Sequence, residues 1–165
     1  MSGAVGYVEL DVSTWKEEVG LQLPDLAEQN TMVVTADCRY SNSGEGLHRF
    51  LDPEDGQVYL YTQFEVADAK RMFACFDQPD LKATFTLHVT APFDWQVISN
   101  SGDRTIEAGS GGSQLVHFGT TKRISTYLVA LIAGPYAKVT YLHDGIPLGL
   151  YCRASLAQYL DPDEL

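Results

Sequence analysis

Gln63 and Glu65 are the residues whose types and spacing best suit chemistry. They lie in the run Tyr-Leu-Tyr-Thr-Gln-Phe-Glu-Val that begins at Tyr59, and its alternation predicts a strand. Period-two geometry puts Leu60, Thr62, Phe64 and Val66 on one face, mostly apolar and expected to meet a core. Tyr59, Tyr61, Gln63 and Glu65 share the other. Two phenols, a carboxamide and a carboxylate suit gripping something polar. Residues two apart on one face have Cα atoms roughly 6.5–7 Å apart, which fits the two ends of one small group. A solvated sheet face is the plainer account of the same pair, and the residues alone leave both open.

Other chemistries find less support. A zinc peptidase centre needs two histidines and a glutamate as HExxH on a helix. None of His48, His88, His117 and His143 precedes a glutamate, and no two lie three or four residues apart. His88 is expected on the wet face of its strand. There is no G-x-S-x-G, and Cys75, between Ala74 and Phe76, is expected to be buried and inert. The glycine run at residues 109–113 lacks the lysine and following helix of a phosphate loop. No catalytic and no metal-ligating residue is therefore assigned in this chain. Cys38, Cys75 and Cys152 cannot all pair, and their spacing fits neither a zinc ribbon nor a redox pair. They read as buried small hydrophobes of a reducing cytosol.

The elements that must position Gln63 and Glu65 are mostly strands. At 165 residues, 45% hydrophobic and 20% charged, the chain supports one soluble domain with a real core. A net charge of −11 argues against nucleic acid. No signal peptide is visible, and no apolar run approaches the roughly 20 residues of a membrane span. Strands are expected at residues 4–12, 21–24, 31–40, 59–66, 83–91, 95–99, 114–120, 125–133, 137–143 and 146–153. Asp-Pro-Glu-Asp-Gly at 52–56 and Asp144-Gly145 are turns, the second a strong hairpin signal. Residues 101–113 read as a hairpin with a Gly/Ser tip. A polar turn, or a short helix capped by Ser13 or Thr14, is expected at 13–19, a helix of two turns at 66–73, and a helical tail from Ser155 as N-cap. This describes an all-β antiparallel β-sandwich with little helix.

Thr-Gln-Phe-Glu at 62–65, Ala-Asp-Ala-Lys-Arg at 67–71, and Phe-Ala-Cys-Phe-Asp-Gln-Pro-Asp-Leu-Lys-Ala-Thr-Phe at 73–85 occur in that order. With Ser125-Thr126-Tyr127-Leu128 they resemble the saddle-like N-terminal domain of the M1 family of zinc aminopeptidases, relatives of aminopeptidase N, most nearly its actinobacterial type. The resemblance is dense from about residue 34 to 165 and weak before that, which leaves the strand order of residues 1–30 in doubt. It implies a single N-terminal β domain over 1–165, with 154–165 opening the junction to a catalytic domain. That domain would carry HExxH, GxMEN and the zinc, so this chain would be inactive alone and hold no cofactor. It further implies that Gln63 lines the pocket for the substrate's first side chain, and that Glu65 helps bind its free α-amine. An ammonium favours charge-assisted acceptors, so the carboxylate suits that role. The partners implied are peptides with a free N-terminus and the downstream domain, in the cytoplasm.

Within the matched segment, Phe76 is expected in the core and Pro79 at a turn. Gln78 replaces a glutamate common in the family, which alters a local ion pair with Lys82. Arg71, like Lys82, is expected to pair with an acid on the surface or across to the downstream domain, an exposed contact contributing about 0–1 kcal/mol. A shortened opening would bare a sheet edge and favour weak edge-to-edge dimers, against which a monomeric mass in solution would count. A stand-alone module binding peptide ends or sugars is the alternative, with Tyr59, Tyr61 and Trp95 as its platform. A third reading is a small hydrolase using scattered Cys and His residues.

Overall fold

Alternation along residues 46–63 folds back on itself at Asp52-Pro53-Glu54-Asp55-Gly56. Asp52 Oδ1 accepts from the Glu54 amide at 2.9 Å, and Gly56 closes the turn with φ 67°, a left-handed angle glycine adopts without a Cβ clash. The result is an antiparallel hairpin of β1 (Gly46–Leu51) and β2 (Val58–Gln63) in the computed structural model. That structure describes residues 9–16, 19–23 and 26–161. The chain divides into two units, Met1–Thr35 and Ala36–Leu165.

In the first unit, Val12–Thr14 is a 3₁₀ turn, in keeping with the turn rather than the helix expected there, and residues 17 and 18 lie outside the described residues. Asp11 caps it, not Ser13 or Thr14: its carboxylate accepts from the Ser13 amide at 2.9 Å. The hydrogen bonds from Ser13 hold the Asp11 carboxyl below its usual value. Residues 4–8, most of the first expected strand, and Pro24 lie outside the described residues, while 21–23 form no strand.

Among its described residues, the second unit has strands and 3₁₀ turns as its regular elements. Its described strands continue with β3 (His88–Pro92), β4 (Gln96–Ser99), β5 (Arg104–Ala108), β6 (Ser113–Phe118), β7 (Leu131–Gly134), β8 (Ala137–His143) and β9 (Ile146–Cys152). One sheet has the order β1-β2-β7-β4, a second β3-β6-β5, and β8-β9 is a separate hairpin. Leu60, Val97, Leu131 and Ala133 of the first sheet share a buried cluster with Ala91, Val116 and Phe118 of the second. Two antiparallel sheets thus pack face to face, the expected sandwich. Beside it, Phe64, Ala69 and Val129 form another cluster, to which Phe73 and Phe85 add edge-to-face contacts. Asp144 and Gly145 both have positive φ, 48° and 80°, as a two-residue turn between β8 and β9 requires.

Several expectations fail because strands need partners that local propensity cannot supply. Residues 31–40 are exposed and form no ladder despite their β-branched content. Burial alternates over 85–91 as expected, yet the regular ladder covers only His88–Pro92. Residues 125–133 are not one buried strand. Ser125 Oγ donates to Pro79 O at 2.5 Å and Thr126 Oγ1 to Asp77 Oδ1 at 2.7 Å, and these bonds hold a 3₁₀ turn at Thr126–Leu128 ahead of β7. The two-turn helix shrinks to Ala69–Arg71, and the tail is a 3₁₀ helix at Ala154–Tyr159 with no side-chain cap. Phe76 is 73% exposed rather than in the core. Cys38 is exposed, while Cys75 and Cys152 are half-buried.

Candidate functional site

Gln63 is the last residue of β2, in register with Gly46 of β1. Gly46 has φ 65°, and a Cβ there would lie 3.0 Å from the Arg71 Cβ, so the arginine packs over the space a side chain would take. Arg71 reaches Asp68 at 2.6 Å and Glu45 at 3.2 Å, the surface acids expected for it. The strand ends before Glu65, which opens a turn closed by the Asp68 amide on the Phe64 carbonyl at 3.0 Å. The Glu65–Val66 peptide bond is cis.

Phe64, 1% exposed, anchors this segment in the second cluster, so Gln63 and Glu65 stand exposed on either side of a buried ring. Neither side chain has a hydrogen-bonding partner among the described residues.

The expected division of faces holds for Leu60 and Phe64 and fails at both ends. Val66 is 54% exposed, because the chain has left the strand. Tyr59 is 1% exposed, because Tyr136 covers it edge-on at 4.9 Å. Gly134 permits that contact, since a Cβ there would lie 3.1 Å from both rings. Trp95 packs against the core, so of the three aromatic residues proposed as a platform only Tyr61 remains exposed.

Sequence reasoning missed what surrounds Tyr61 and Tyr59. His48, opposite Tyr61, lies with its ring 4.8 Å away. An open depression of about 330 Å³ is lined by His48, Phe50, Tyr59, Tyr61, Tyr136 and Arg153. Arg153 stacks over Phe50 at 4.7 Å and bonds Asp52 Oδ2 at 3.0 Å. Ser155, expected as a helix cap, instead donates to the same oxygen at 2.6 Å. The Ser155 hydroxyl, then the Glu54 amide and the Arg153 guanidinium, hold the fully buried Asp52 carboxyl below its usual value against the opposing effect of burial. The Tyr59 hydroxyl donates to Asp55 Oδ2 at 2.6 Å and accepts from the Ala154 amide at 2.9 Å. Asp52 and Arg153 are 101 residues apart, and no local signal announces such a pair.

Among the described residues, no group of three or more His, Cys, Asp or Glu side chains is placed to hold a metal ion. A catalytic zinc requires three protein ligands, so the donor set described here does not fit one. No described helix is long and apolar enough to cross a membrane. Burial, then the Asp77 charge, pushes the Cys75 thiol up to about 11.

Gln63, at the end of β2, and Glu65, in the turn that follows, thus stand as two exposed polar side chains beside the sandwich. Residues 7–128 match the model of the peptidase M1 N-terminal domain, and the chain belongs to that family. It is 51% identical over 161 residues to an aminopeptidase N of Streptomyces lividans, covering 94% of this chain and 18% of that protein. An aminopeptidase N of Acetobacter pasteurianus is 44% identical over 99 residues, 60% of this chain and 28% of that protein. An aminopeptidase M1 of Arabidopsis thaliana is 38% identical over 97 residues, 58% and 11% respectively. The chain thus spans less than a third of the length of each.

Proposed function

We propose that this chain serves as the N-terminal β domain of a cytoplasmic zinc aminopeptidase. In this reading it roofs the active-site cleft. Glu65 receives the α-ammonium of a peptide's free N-terminus, and Gln63 borders the first side chain. One observation carries the assignment: both polar side chains are exposed, have no hydrogen-bonding partner among the described residues, and are held together by the buried Phe64 between them. A carboxylate without an internal partner is available for a charge-assisted bond to an ammonium. Residues 154–165 would lead into a downstream catalytic domain, which would hold the zinc and supply the activated water. The present chain would then bind and orient substrate and be inactive by itself.

The test joins this chain to its downstream sequence and compares Glu65→Ala and Glu65→Gln with the parent. Removing a charge-assisted bond should lower kcat/KM on unblocked aminoacyl anilides by about tenfold or more, equivalent to about 1.5–3 kcal/mol. Glu65→Gln should recover part of it. Unchanged kinetics in both variants would refute the role of Glu65.

A further inference from the structure

We propose that the outer face of the β3-β6-β5 sheet carries a two-histidine site for a late first-row divalent cation such as Ni²⁺, Cu²⁺ or Zn²⁺. His88 and His117 are directly opposite each other in the β3–β6 register. Their rings meet edge to face at 4.7 Å, and their Nδ1 atoms approach to 2.6 Å. Two adjacent imidazole nitrogens are the donor type these metals favour. His88 is exposed and His117 only partly covered, so the point is open to solvent.

Glu107 adds an independent indication. Its Oε1 lies 3.7 Å from Nε2 of His117, on the side of the ring away from His88. A carboxylate there favours the proton on Nε2 and leaves the Nδ1 lone pair facing His88. Ligating histidines are commonly oriented and made more basic in this way. In the metal-free pair one ring must then donate, and Glu107 assigns that proton to Nδ1 of His88. On binding, His88 moves its proton to Nε2, and the pair neither gains nor loses one. A rotation of either ring opens the gap between the nitrogens to admit the ion. The two imidazoles occupy two coordination positions and leave the rest to water. The neighbouring Thr86, Thr90 and Thr105 put no positive charge against the ion.

The experiment titrates the tag-free chain, with Cys38 capped, with Ni²⁺ alone. Calorimetry gives the stoichiometry, and paramagnetic broadening of the four histidine ring signals gives the place. One ion per chain is expected, with His88 and His117 broadened ahead of His48 and His143. His88→Gln and His117→Gln should each weaken binding by at least about tenfold, and Glu107→Gln by about tenfold. Absence of saturable binding, first broadening at His48 or His143, or undiminished binding in the double histidine variant would overturn the site. Unchanged affinity in Glu107→Gln would overturn the carboxylate's part in it.

Discussion

Tyr59→Phe tests how the β1–β2 hairpin is tied to the C-terminal segment. The substitution keeps the ring, its burial and its edge contact with Tyr136, and removes only the hydroxyl. That hydroxyl donates to the Asp55 carboxylate at 2.6 Å and accepts from the Ala154 amide at 2.9 Å. A hydrogen bond to a charged group contributes about 1.5–3 kcal/mol, and a stranded amide costs about 1–3 kcal/mol when fully buried. Asp55 is half-buried and Ala154 is exposed, so water recovers part of both. The expected loss is about 2–3 kcal/mol. With a urea m-value of about 2 kcal/mol/M, the midpoint should fall by about 1–1.5 M at constant m. Circular dichroism during urea unfolding at neutral pH measures it. The same hydroxyl predicts a pH dependence. Burial, then the bond to Asp55, pushes its pKa up to about 12. The unfolded value is about 10. The stability it contributes is therefore complete below about pH 10 and lost as pH rises toward 12. The gap between parent and variant should narrow over that interval. A midpoint shift below about 0.3 M at neutral pH, or a gap that stays constant to pH 12, would refute the reasoning.

Two further outcomes follow from the same geometry. The Asp52 carboxyl sits below its usual value, so its contribution is present above about pH 4 and lost as pH falls through the folded pKa. Asp52→Asn should lack that part of the acid-unfolding slope, and an acid limb identical to the parent's would contradict the assignment. A thiol reagent at pH 8 should modify the exposed Cys38 at least about tenfold faster than Cys75, whose thiolate burial disfavours. Peptide mapping by mass spectrometry reads the order, and equal rates would count against it.

Much of the sandwich was legible because alternation is a local property. Leu60 and Phe64 point inward, residues 85–91 alternate, and Asp144-Gly145 makes its hairpin because side-chain period and turn angles depend on neighbours in the chain. The ordered motifs around residues 62–85 identified the family for a related reason. They record many constraints in one short stretch. Gln63 and Glu65 were legible as a polar pair, though not as residues divided between a strand end and a turn.

Where pairing partners had to be chosen, sequence was silent. Residues 31–40 have strand composition without a described ladder, and Ser125 and Thr126 became a turn once Pro79 and Asp77 took their hydroxyls. Only the folded chain brings Asp52 to Arg153 and Ser155, Tyr59 under Tyr136, and His88 against His117. Periodicity determines which way a side chain faces. Which distant group it meets depends on the order in which the sheets are assembled, and that order is a property of the tertiary structure alone.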